Sequence, residues 1–130
     1  MNLLLDTHVW LWSLLDPERL RPEAVAALQD PDNRLYLSPV SVWEALLLVE
    51  RRRVELQGDP RAWVVKVLEE VPMFEAPLTF EVAIGSRAVP LPHVDPADRF
   101  LAATANAHDL VLLTADRRLL DCAELRTLAA

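Results

Sequence analysis

The chain has 130 residues, 52% of them hydrophobic, and a formal net charge of −7. That size fits one domain over residues 1–130 with a substantial core, and the composition argues against disorder. The negative charge disfavours a protein that grips nucleic acid through a general positive field. The lone Cys122 makes no intrachain disulfide, no apolar run reaches the ~18 residues of a membrane span, and Asp6 follows no basic leader, so the expected setting is the cytoplasm, without a membrane.

In chain order, "NLLL" (2–5) predicts a short buried strand, and "THVWLWSLL" (7–15) a helix ended by "DP". "RPEAVAALQD" (21–30) predicts a helix with Pro22 at its start and Glu23 in its first turn. A second strand, "RLYLS" (34–38), runs into "SPVSVWEALLLVERRR", where Ser38 can cap a helix and Pro39 can take its first position. After "GDP", helical spacing returns over 61–71, a third strand is expected at "MFEAP" (73–77), and another helix at 79–89. A cap-and-proline signal opens the Ala-rich helix of 94–109; "LVLLT" (110–114) is the clearest strand, and "LRTL" (125–128) a final short one. Apolar strands alternating with helices predict a parallel sheet covered on both faces, an α/β sandwich.

In such sheets functional groups collect beyond the carboxyl ends of the strands. Asp6 follows the first strand and Asp116 follows "LVLLT", while Glu44 and Asp98 lie on helices whose N-termini face the same rim. Glu44 shares a helical stripe with Val40, Leu47 and Leu48, and Asp98 one with Leu101, Ala102 and Ala105, so both acids sit on apolar sides. Each acid also has a simpler use: Asp6 or Thr7 as a cap of the first helix, Asp95 and Asp98 as a capping arrangement, Asp116 as the cap of a short helix at "RRLLD". As a set they make a different demand. Like charges ~4 Å apart repel by ~4 kcal/mol at an effective dielectric near 20, so four carboxylates at one rim call for protonation or cations. Oxygen-only donors select hard ions such as Mg²⁺ or Mn²⁺, which support phosphodiester hydrolysis.

"LLLDTH", "SPVSVWE", "LPHVDPADRFLAATA" and "LVLLTAD", in this order, resemble the PIN-domain nucleases and most closely the VapC-type toxins of toxin–antitoxin pairs. The resemblance implies a PIN-like, Rossmann-like three-layer sandwich with a central parallel sheet and a Mg²⁺- or Mn²⁺-dependent endoribonuclease. It places the family's acids on Asp6, Glu44, Asp98 and Asp116, as metal ligands and catalytic residues. It further implies a cognate VapB-type antitoxin, an RNA substrate and a homodimer.

Thr7, Ser41 and Thr114 lie near the matched acids and can hold carboxylates or metal waters, with capping or turn bonding as the competing use. Arg117 and Arg118 are placed to guide RNA; Arg99 can contact phosphate or brace a carboxylate. "ERRR" (50–53) is either a phosphate-contacting cluster or a solvated helix end. His93 precedes the "DP" motif as a surface or supporting residue, whereas His8 and His108 have no supporting constellation. Trp10, Trp12, Trp43 and Trp63 read first as core, though the apolar third helix and aromatic first helix exceed what one small core needs, which suits a dimer or antitoxin groove. Two rival functions are an aspartyl-phosphate phosphatase, which normally wants a second Asp where His8 stands and a late lysine where this chain has only Lys66, and a PIN-like module that binds RNA or protein without cutting it.

Overall fold

The computed structural model describes residues 1–92 and 95–130. Its centre is a five-stranded, all-parallel sheet ordered β3-β2-β1-β4-β5, with β1 (Asn2–Leu5) in the middle, β2 (Arg34–Leu37) and β4 (Val111–Thr114) beside it, and β3 (Phe74–Glu75) and β5 (Thr127–Ala129) at the edges. The order reverses direction at β1, which pairs through Leu4 with Tyr36 on one side and Leu112 on the other. Strands buried on both faces are expected to be apolar throughout, and β1 is: Leu4 enters one core with Leu101, Leu112 and Leu119, while Leu3 and Leu5 enter the other with Val9, Trp10 and Leu113. The second core is roofed by α1 (Thr7–Leu15), α2 (Pro22–Gln29) and α4 (Pro60–Glu70). The first is roofed by α5 (Phe80–Gly85), α6 (Pro96–Ala107) and α7 (Arg117–Leu120). α3 (Pro39–Glu50) contributes Val40 to one and Ala45 to the other. The architecture is the predicted three-layer α/β sandwich. Among the described residues no helix is long and apolar enough to cross a membrane.

Helix starts follow local chemistry. Ser38 accepts from the Val40 N–H at 3.1 Å, Asp59 from Ala62 at 3.0 Å, Thr79 from Val82 at 3.2 Å and Asp95 from Ala97 at 2.9 Å, each answering an N–H that has no partner within its helix. Asp6 holds the same position before α1 and its side chain makes no capping bond.

Several boundaries differ from expectation, and β3 keeps only Phe74–Glu75 of the expected 73–77. α3 stops at Glu50 instead of running through "ERRR", because Arg52 takes a left-handed φ of 58° that ends the helix. α5 stops at Gly85 instead of 89, because residues 86–91 form an irregular turn whose carbonyls are held by Arg99. β5 lies two residues later than "LRTL", with Leu125 buried in the core ahead of the strand.

Candidate active site

The carboxyl ends of β1 and β4 adjoin at the point where strand order reverses, and the Asp6 N–H donates to the Leu113 carbonyl across that gap at 3.0 Å. Asp6 is only 6% exposed, and its Oδ2 accepts from the Thr114 hydroxyl at 2.6 Å. The same hydroxyl oxygen accepts from the Asp116 N–H at 3.0 Å, so one buried side chain fixes both a carboxylate and the loop that carries the next. Burial pushes the Asp6 carboxyl up from the usual carboxylate range, against the lowering effect of the Thr114 hydrogen bond.

Across the cleft, the Thr7 hydroxyl donates to Ser41 Oγ at 2.9 Å, tying α1 to α3 below Glu44. Glu44 is half-buried, and its Oε1 is buried with no hydrogen-bond partner among the described residues. A buried carboxylate oxygen left unmatched is costly. Burial raises the Glu44 pKa first, the Thr7 hydroxyl lowers it, and the charges of Asp6 and Asp95 raise it again. Asp98, on the first turn of α6, is raised as well: burial first, then the charges of Asp6, Asp95, Asp116 and Glu44, push its pKa up to about 7. Asp116 caps α7, accepting from the Arg118 N–H at 2.8 Å, and also pairs with the Arg118 guanidinium at 3.1 Å. That guanidinium lies 4.0 Å from Asp98, a positive charge set among carboxylates.

Asp6, Glu44, Asp98 and Asp116 thus come from four parts of the chain to one cleft of about 310 Å³, which Asp95, His8 and Trp12 also line. Among the described residues no three His, Cys, Asp or Glu side chains close into a ready ligand set. The four acids share a cleft without meeting at a point. All four offer oxygen donors, and among the described residues the Glu44 Oε1 is unmatched while like charges and burial raise the Asp98 pKa. A hard divalent cation fits that donor set.

The sequence matches the family model described as "PIN domain" over residues 3–125. The chain belongs to the PIN-domain family. Within it, the chain is closely related to the VapC-type toxins: it is 34% identical over 121 residues to ribonuclease VapC22 of Mycobacterium tuberculosis, covering 91% of this chain and 89% of that protein. Its fold is similar to that of FitAcB from Neisseria gonorrhoeae (TM-score 0.62, 26% identity, 96% and 95% of the two chains). It is also similar in fold to a chain of VapBC2 from Rickettsia felis, solved bound to a promoter DNA fragment (TM-score 0.72, 12% identity, 100% and 99% of the two chains).

The remaining candidates in this PIN domain are distributed differently from expectation. Arg99 touches no carboxylate of the cleft: its guanidinium donates to the Ser86, Val89 and Leu91 carbonyls at 3.1 Å each, stitching the turn after α5 to α6. The expected phosphate contact or carboxylate brace is replaced by a structural clamp, because those three carbonyls have no strand or helix to serve them. Arg117 is exposed on α7, whereas Arg118 faces the acids. Lys66, the lysine a phosphatase would need, pairs with Glu70 on α4 at 3.8 Å and lies outside the cleft. His93 lies outside the described residues. Trp10 is core, packing against Trp63 at 6.2 Å, whereas Trp43 is 52% exposed on α3 and Phe80 and Ile84 stand out on α5. His8, Trp12 and Asp95 were not singled out from the sequence as cleft residues. The signal was there for the first two, which repeat at four-residue spacing along the helix that Asp6 begins.

Proposed function

We propose that this PIN domain is a Mg²⁺- or Mn²⁺-dependent endoribonuclease, the toxin of a VapBC-type pair, and that Asp6, Glu44, Asp98 and Asp116 are its catalytic and metal-holding residues. The observation that carries the reading is the convergence of these four acids on one cleft while Glu44 Oε1 lacks a partner and Asp98 titrates near 7. A divalent cation bound there supplies positive charge to the reacting phosphodiester and activates a water for attack.

The chain's own residues do the rest. Thr114 holds Asp6 at the end of a rigid buried strand and sets the Asp116 loop. Thr7 and Ser41 lock the helix that presents Glu44 against the helix that starts at Asp6. Asp98, with a pKa near 7, is a group that takes or gives a proton near neutral pH as charge in the cleft changes. Arg118, paired with Asp116 and 4.0 Å from Asp98, is a guanidinium at the cleft that would be within reach of a substrate phosphate. Membership of the VapC-type branch supports a VapB-type antitoxin, an RNA substrate and a homodimer, and the exposed Trp43 and Phe80 are apolar surface for such contacts.

The test is incubation of the purified protein with RNA in Mg²⁺, Mn²⁺ or EDTA, beside Asp98→Asn. Cleavage that needs the metal and is lost in the variant is the expected result. Equal cutting by the variant defeats the assignment of Asp98, and binding without cutting in any metal points to a non-catalytic module.

A further inference from the structure

The face of α1 that climbs out of the acidic cleft carries planar groups. His8 and Trp12, one helical turn apart, both line the cleft, with ring centroids 6.0 Å apart and planes inclined by 53°. Beyond them Arg19, from the 3-10 turn Pro17–Arg19, lays its guanidinium over the Trp12 ring at 4.6 Å. His8 and Arg19 are exposed and Trp12 is half-buried, its inner edge against the core. The core requirement of this helix is met elsewhere, by Trp10 at 1% exposure. The rim of the cleft is therefore tiled by an imidazole, an indole and a guanidinium in continuous contact.

We propose that the His8–Trp12–Arg19 face is a stacking subsite for an unpaired nucleobase next to the cleft, with the base on the His8 ring, Trp12 backing it and Arg19 holding Trp12 in place. The inference rests on the nuclease reading and deepens it by naming the part of the substrate that is bound. Its physical ground is the charge of the site. The cleft is dominated by carboxylates, and a chain of net charge −7 offers phosphates little general attraction. Stacking on aromatic and guanidinium planes does not depend on that attraction, tolerates any base and requires a single-stranded segment. Double-stranded nucleic acid, with its bases already stacked, is not a ligand for such a rim.

The experiment uses the full chain in EDTA at low ionic strength, so that RNA stays intact, and measures by fluorescence anisotropy the binding of a labelled unstructured oligoribonucleotide and of the same oligonucleotide with abasic sites. The wild type is expected to bind the base-bearing strand at least about fivefold more tightly than the abasic one. His8→Ala abolishes that preference by weakening only the base-bearing strand, Arg19→Gln reduces it, and His8→Phe restores it. Because phosphates are equal in the two probes, a general fold defect lowers both and does not mimic the result. No preference in the wild type, no binding of the base-bearing strand, or an unchanged preference in His8→Ala overturns the proposal. Cleavage in Mg²⁺ is scored separately: cutting without base preference removes the stacking subsite and leaves the nuclease, whereas preference without cutting does the reverse.

Discussion

Replacing Asp98 by asparagine preserves the side chain's shape and removes the carboxyl that is pushed up to about 7. The same carboxyl in an unfolded chain titrates near ~3.9. Its folded pKa is the higher one, so the folded state holds the extra proton between these values; the stability it confers is complete below about pH 4 and is lost as pH rises through about 7. At full strength a rise of that size corresponds to ~4 kcal/mol. Asp98 faces a cleft open to water, and discounting about half for solvent screening leaves ~2 kcal/mol, or roughly 6–10 °C of melting temperature for a domain of this size. In thermal melts in EDTA, the variant's stability relative to wild type should therefore improve by about that amount between pH 4 and pH 8. Mg²⁺ at pH 8 should narrow the gap by stabilising the wild type selectively. Asp6 and Glu44, whose pKa values are also raised, remain in both proteins, and losing the Asp98 charge beside them eases their own decline, which acts in the same direction as the expected gain. A gap that stays constant from pH 4 to pH 8 would refute the placement of Asp98 in a buried, acid-rich cleft.

Thr114→Val removes the donor that holds Asp6; Mn²⁺ affinity, read by calorimetry, should fall about tenfold, the usual cost of losing a group that orients a metal ligand. Arg118→Ala should do the opposite, raising Mn²⁺ affinity about two- to fivefold by freeing Asp116 from a competing cation, while weakening RNA binding. Arg99→Met leaves the Ser86 and Leu91 carbonyls without their donor, while Val89 keeps the Leu91 N–H, and should cost ~2–3 kcal/mol in urea unfolding, with RNA affinity per folded molecule unchanged.

The fold was legible because its strands are short apolar runs and its helices begin with local signals. Ser38–Pro39 and Asp95–Pro96 state their helix starts in two residues, and each is observed, whereas Asp59–Pro60, read only as a break, opens α4 in the same way. The misplaced ends depend on partners that sequence spacing does not reveal. Nothing near Gly85 says that α5 must stop there; the cause is Arg99, thirteen residues on from Ser86, whose donors reward an irregular turn over another turn of helix. Arg52 ends α3 by adopting a left-handed conformation that no glycine or asparagine advertises.

The candidate site divides along the same line. The backbone positions of Asp6, Glu44, Asp98 and Asp116 follow from strand ends and helix starts, so the convergence on one rim could be read from topology alone. What each side chain does there depends on a balance of charges. Asp116 is both a helix cap and a candidate ligand, and its carboxylate pairs with Arg118, two residues away. The arginine read as an RNA guide is thus held by the acids, and the one read as a phosphate contact or a brace clamps backbone instead. With Arg118 drawn to carboxylates on one wall and His8 and the half-buried Trp12 lining another, an unpaired base is, on the stacking proposal, the part of a substrate that this acidic cleft is expected to hold without help from positive charge.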